Sequence, residues 1–210
     1  MLIKNDKPLA AISYDTQTFS VLKLFARLEG NIDIVRIEPS DFFNNPTPDY
    51  QYMNLVIKDF DERKRISQVL DQHNLDRFSY INQEYTIDQD GNRRTTLEYT
   101  NIKFGAGCLI YPAVWGYSGT IGKDVIIHSM TKFAENVVIG QGSFLSGSIT
   151  IAGDCVIGDY CYLGNSLFLI DHISICDDVR LLPGTNLRKS IKEPGTYYNP
   201  NTFRVEQINI

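Results

Sequence analysis

Residues 121–186 read IGKDVI, IHSMTK, FAENVV, IGQGSF, LSGSIT, IAGDCV, IGDYCY, LGNSLF, LIDHIS, ICDDVR and LLPGTN. Each six-residue block opens on an aliphatic or aromatic residue, and the eleven blocks follow one another without a slip in register. Leu187 opens a twelfth, while Phe104 and Ile110 look like earlier members, offset from Ile121 by a one-residue irregularity near Trp115. Self-similarity of this length marks a repeat architecture, in which each unit buries its apolar side against the next. The fifth position is mostly Val, Thr, Ser or Cys, small or β-branched residues that suit a side chain turning inward at a tight corner. Cys108, Cys155 and Cys161 all fall there.

Upstream of the repeats the texture differs. LAAISY, an apolar-periodic run from Thr18 to Leu28, IDIVRIE, NLVIKD, a second amphipathic run and RFSYIN alternate strand-like with helix-like patterns. This is βαβ texture, and it predicts a small parallel sheet. Asp15 is placed to cap the first helix and Gly30 to end it; Asp59 or Asp61 caps the second, whose apolar face includes Ile66, Val69 and Leu70. Between Asn82 and Tyr99 the chain turns polar, with Asp90-Gly91 as a turn signal. The expected organisation is a βαβ domain over 1–83, a linker or hairpin over 84–103, the repeats over 104–190 and a tail over 191–210.

Charge and cysteine content narrow the function. Against 25 acidic residues stand 20 Lys and Arg, with no basic block to track a phosphate backbone, so nucleic acid is not an expected partner. No window approaches the roughly 20 apolar residues of a membrane span, and the N-terminus shows no cleavage-site pattern; a cytoplasmic protein is the expectation. The four cysteines form no CxxC pair and are expected to be structural.

The hexads resemble those of the hexapeptide-repeat acyltransferases, in which three hexads make one triangular coil of a left-handed parallel β-helix. A βαβ domain followed by such a helix is similar to the sugar N- or O-acetyltransferases of the sialic acid and bacillosamine type. The resemblance implies an α/β N-terminal domain with a small parallel sheet, then an all-β left-handed helix. It also implies acetyl-CoA as co-substrate, a sugar or nucleotide-sugar acceptor, a homotrimer and a role in surface glycan synthesis. The alternative is a catalytically inactive scaffold or ligand-binding trimer of the same fold. The carbonic anhydrases that share this helix need three zinc-ligating histidines. Only His128 and His172 lie in the repeats, so no metal site is expected.

Within that geometry, residues eighteen apart stack on one edge. Glu135, Gly153 and Asp171 should form one column, and Asn136, Asp154 and His172 the next. Members of the family carry a general-base histidine where this chain has Glu135, followed by Asn136. A carboxylate is a weaker base than imidazole near neutral pH, so three assignments stay open: Glu135 as base, His172 as base about 10 Å away by coil spacing, or no base at all. The resemblance implies a pantetheine groove along Gly147, Asn165 and Gly184, where glycine lets the backbone approach a ligand. Phe144 stands where some relatives have a coenzyme-binding histidine, and Lys189, with Lys192, lies where the coenzyme phosphates are expected. The tail GTYYNPNTFRV departs from the family ending at Asn199-Pro200-Asn201. At the turn after the first strand, Ser13-Tyr14-Asp15-Thr16 lacks the glycines that cradle a diphosphate in the relatives.

Overall fold

The computed structural model describes residues 1–57, 59–82, 85–87, 93–95, 101–198 and 206–208. Asp90-Gly91 and Asn199-Pro200-Asn201 lie outside the described residues. The chain divides into two compact units, one of residues 1–81 with 106–108, the other of 82–105 with 109–210.

In the first unit, strands Leu9–Ile12, Ile34–Ile37 and Gln51–Asn54 form a parallel sheet with Leu9–Ile12 in the centre. Helix α1 (Thr16–Leu28) is capped by Asp15, and its stripe Leu22, Phe25 and Ala26 is buried. Helix α2 (Pro39–Asn44) has proline in its first turn, where the missing N–H costs no helical bond. Nothing in the apolar periodicity announced α2, because six residues are too few to show a stripe. Helix α3 (Phe60–Gln72) is capped by Asp59 and packs Ile66 and Leu70 into a core with Ala10, Ile12, Phe42, Tyr52, Val56 and Leu75. The RFSYIN segment bridges the edge of the three-stranded sheet in parallel at Arg77, beside Tyr52, and then supplies strand Ser79–Ile81, which pairs antiparallel with Leu2–Ile3.

The second unit is a parallel β-coil of about five turns, matching a left-handed β-helix. Strands repeat every eighteen residues on each of three faces, as in Ile121↔Ile139↔Ile157 on the first face, Leu145↔Leu163↔Leu181 on the second and Phe133↔Ile151↔Leu169 on the third. Every first-position residue from Ile121 to Leu187 is buried, as is every fifth-position residue from Val125 to Thr185. The core is therefore a stack of six inward side chains per coil, each coil about 4.8 Å from the next. Thiols, hydroxyls and aliphatic groups all serve at the fifth position. Where the group is polar, the coil supplies a partner: Ser143 Oγ donates to Gly158 O and Thr131 Oγ1 to Ser146 O.

The irregularity near Trp115 resolves into one missing residue. Trp115 pairs with Lys132 and Gly116 with Phe133, seventeen residues on, whereas Gly119 pairs with Val137, eighteen on. The shortened corner is thus Tyr117-Ser118, beneath Ala134-Glu135-Asn136. Ser118 Oγ accepts from Asn136 N at 2.9 Å.

Candidate functional site

The corners of the coil fall on three edges. The third edge carries residues 134–136, 152–154, 170–172 and 188–190. All eleven fourth-position residues from Asp124 to Gly184 have φ between 55° and 78°, in left-handed backbone. Gly, Asn and Asp visit that region at least cost. On the third edge the fourth positions are Asn136, Asp154 and His172; the Ser118 hydroxyl holds Asn136 N, and the coil before holds the other two through backbone bonds. Asp154 N donates to Glu135 O at 2.9 Å and His172 N to Gly153 O at 3.0 Å.

These corners bring the predicted residues together on one ridge. Gly153 N donates to Asp171 Oδ1 at 3.0 Å, and a Cβ placed on Gly153 would stand 3.0 Å from Glu135 Oε1. The Glu135 carboxylate therefore lies across the glycine, in space that any side chain at 153 would claim. Beside this column, Asn136 Nδ2 donates to Asp154 Oδ1 at 3.1 Å, and Asp154 Oδ2 stands 3.6 Å from His172 Nδ1. Asp154 thus links an amide from the coil below to an imidazole from the coil above. Its joining role was not read from the sequence, although the eighteen-residue spacing of Asn136, Asp154 and His172 carried the signal. Glu135, Asn136 and His172 are all exposed.

The residues expected at the coenzyme are distributed differently. On the second edge, Gly147 N donates to Asn165 Oδ1 at 2.9 Å, so these two stack as expected. Gly184 does not continue their column. Its φ of 78° and its bond from N to Asn165 O put it in the fourth-position column with Met130, Ser148 and Ser166; Pro183 is the residue over Asn165. The count from 165 to 184 is nineteen, one more than a coil. Phe144 lies on the second face, buried, its ring stacked on Tyr162 with centroids 5.7 Å apart. Lys189 lies on the third edge, in the corner after Leu187, which pairs with Leu169; that corner is two residues short, since Ile191 bridges Ile175 sixteen residues before it. His128 stacks on Tyr111 at 3.9 Å, and burial holds its pKa below the ordinary 6.5. Burial pushes the Cys161 thiol up to about 12, as fits a structural role. Among the described residues no cluster of His, Cys, Asp and Glu has the makings of a metal site, and no helix is long and apolar enough to cross a membrane.

No protein-family model matches the chain. It is 35% identical over 148 residues to a UDP-3-O-acylglucosamine N-acyltransferase of Shewanella denitrificans, covering 64% of this chain and 42% of that one. It is 32% identical over 119 residues to a probable mitochondrial UDP-3-O-acylglucosamine N-acyltransferase of Arabidopsis thaliana, covering 54% of this chain and 39% of the relative. The chain thus spans less than half the length of these curated relatives. Among solved structures, the acetyltransferase domain of PglB from Neisseria gonorrhoeae, in complex with acetyl coenzyme A, superposes with a TM-score of 0.76 at 12% identity, covering 97% of this chain and 100% of that domain. PerB from Caulobacter crescentus, in complex with CoA and GDP-perosamine, gives 0.67 at 11% identity, covering 98% of this chain and 99% of PerB. At such identities the likeness establishes a shared fold.

Proposed function

We propose that this chain, a member of the hexapeptide-repeat left-handed β-helix proteins, is a CoA-dependent acyltransferase. It moves an acetyl group from acetyl-CoA to an amino or hydroxyl group of a sugar, in the making of a surface glycan. The observation that carries the reading is the third-edge ridge, where Glu135, Asn136, Asp154, Asp171 and His172 line up on successive coils. The names of the relatives, which are acyltransferases, supply the reaction class.

In this mechanism the acceptor nitrogen or oxygen attacks the thioester carbonyl, the C–S bond breaks and the CoA thiolate leaves. Glu135 takes the proton from the attacking atom and returns it to the sulfur. An amine acceptor lightens the task, since a neutral amine is already nucleophilic and needs chiefly to be held against the thioester. A second assignment of the base, His172, is favoured by the Asp154 carboxylate 3.6 Å from its Nδ1, on a side chain that is otherwise largely exposed.

The pantetheine arm runs along the second edge, where Gly147 offers backbone without a side chain. Glu135 and Lys189 belong to the third edge. One groove takes in both edges when two copies of the chain face each other, and this geometry supports a homotrimer with shared sites.

The test begins with calorimetry of acetyl-CoA binding, where absence of binding leaves the inactive scaffold as the function. Free-thiol release with amino sugars then compares Glu135→Gln and His172→Asn. Loss of the base lowers the rate about 10²-fold to 10⁴-fold. Undiminished turnover in Glu135→Gln removes Glu135 and passes the role to His172.

A further inference from the structure

Helix α1 begins at the carboxyl end of the central strand of the three-stranded sheet, the place where open α/β sheets ordinarily receive ligands. A diphosphate held there needs backbone N–H groups free at the helix start and positive charge around them. Among the described residues neither condition is met. The Asp15 carboxylate already accepts from Gln17 N at 2.7 Å, Thr18 N at 2.9 Å and Thr18 Oγ1 at 2.7 Å. At the start of α3, Asp59 likewise accepts from Glu62 N at 2.9 Å.

Among the described residues, two cations beside this sheet end, Arg36 and Arg63, are also engaged. Arg36 Nη1 donates to Ser13 O and Tyr14 O at 3.2 Å each, and the same guanidinium pairs with Glu38. Arg63 is fully buried, its Nη1 donating to Asn54 O at 2.9 Å and Val56 O at 3.0 Å. Acidic groups follow every strand: Asp15 after Leu9–Ile12, Glu38 after Ile34–Ile37, and, after Gln51–Asn54, Asp59 at the cap and Glu62 in the first turn of α3. Three of them, Glu38, Asp59 and Glu62, act on Tyr14. Its hydroxyl donates to Glu62, and that bond, partial desolvation and the charges of Glu62, Asp59 and Glu38 raise its pKa to about 12. Glu62 Oε2 is buried and has no hydrogen-bond partner.

We infer that this crevice excludes nucleoside diphosphates, with Asp15 and Glu62 as the residues that determine the exclusion, so that the acceptor is a sugar presented without a diphosphate. The inference rests on the acyltransferase reading for the word acceptor, and on the N-terminal unit alone for the exclusion. It separates this chain from the neighbour whose structure holds GDP-perosamine.

The test is calorimetry on the full chain at low ionic strength, with UDP, GDP and acetyl-CoA as separate titrants. Neither nucleotide is expected to bind the wild type at millimolar concentration, while free amino sugars are acetylated in the thiol-release assay. The double variant Asp15→Asn, Glu62→Gln keeps the helix cap and the Tyr14 hydrogen-bond acceptor but removes both charges. It is expected to gain at least about tenfold in UDP affinity. Micromolar binding of UDP or GDP by the wild type overturns the exclusion. So does a folded double variant, judged by its circular dichroism, whose nucleotide affinity is no better than the wild type's. Failure of acetyl-CoA to bind, with the nucleotide results as expected, sinks the acyltransferase reading and leaves the exclusion standing.

Discussion

Replacing Gly158 and Gly153 by alanine, one at a time, separates a corner packed against backbone from a corner packed against a side chain. Both glycines have φ outside the left-handed region, so neither alanine strains the backbone by itself. At Gly158 the new Cβ would stand 2.4 Å from Asp177 Oδ1 and 2.6 Å from both Asp177 N and Cys176 C. Relief requires the two coils to part by roughly 1 Å where they are spaced about 4.8 Å. That movement stretches the bonds from Asp159 N to Asp177 Oδ1 and from Gly158 N to Ile175 O, both 2.8 Å. Overpacking of this kind costs about 3 kcal/mol, the upper part of the usual range. For a chain of this length the melting temperature falls by about 6–12 °C. At Gly153 the nearest atom is Glu135 Oε1, the far end of an exposed and flexible side chain. Alanine there leaves stability unchanged or raises it by up to about 1 kcal/mol through the unfolded chain. Thermal melts followed by circular dichroism read both variants. A Gly158→Ala protein that melts with the wild type would refute the close stacking of these corners, and with it the column geometry that aligns the ridge.

Met130, 63% exposed at φ 65°, gains little from burial and bears the left-handed backbone cost, so Met130→Gly should raise stability by about 0.5–1 kcal/mol in urea denaturation. His128 is held below its ordinary pKa of 6.5 by burial, so the unfolded chain binds this proton more readily than the folded one. Its contribution is therefore full above about pH 6.5 and is lost as the pH falls below that value. The drop in melting temperature from pH 7.5 to 5 should be smaller in His128→Phe, which keeps the stack on Tyr111. Cys108, Cys155 and Cys161 are fully buried whereas Cys176 is half-buried, so a thiol reagent should label Cys176 alone in the native protein and all four in denaturant. Labelling of Cys161 at the rate of Cys176 would contradict the inward placement of the fifth position.

The coil was legible because its two demands recur in every hexad: an aliphatic or aromatic residue at the first position and a compact one at the fifth. Both sets are buried throughout the repeats. The ridge was legible for the same reason, since a fixed period places Glu135, Gly153 and Asp171 by arithmetic. Gly184 was misplaced by the same arithmetic, miscounted by one. The fourth-position rule went unread although it was present, because Asp, Asn, Ser and Gly predominate there while Met130, Tyr160 and His172 obscure the pattern. In the N-terminal unit, Asp15 and Asp59 announced their helices by capping chemistry. The convergence of Glu38, Asp59 and Glu62 around Tyr14 had no sequence signal, because it arises from the order in which three strands pair.

The seventeen-residue first coil has a bearing on the ridge. With Tyr117-Ser118 one residue short, no third-position side chain stands under Glu135, and Gly153 contributes none above it. The carboxylate occupies a bare ledge two rungs tall, floored by the Ser118 hydroxyl that replaces a lost carbonyl in holding Asn136 N. Inserting a single residue between Gly116 and Gly119 would restore the eighteen-residue period, complete the rung and wall the ledge off from below.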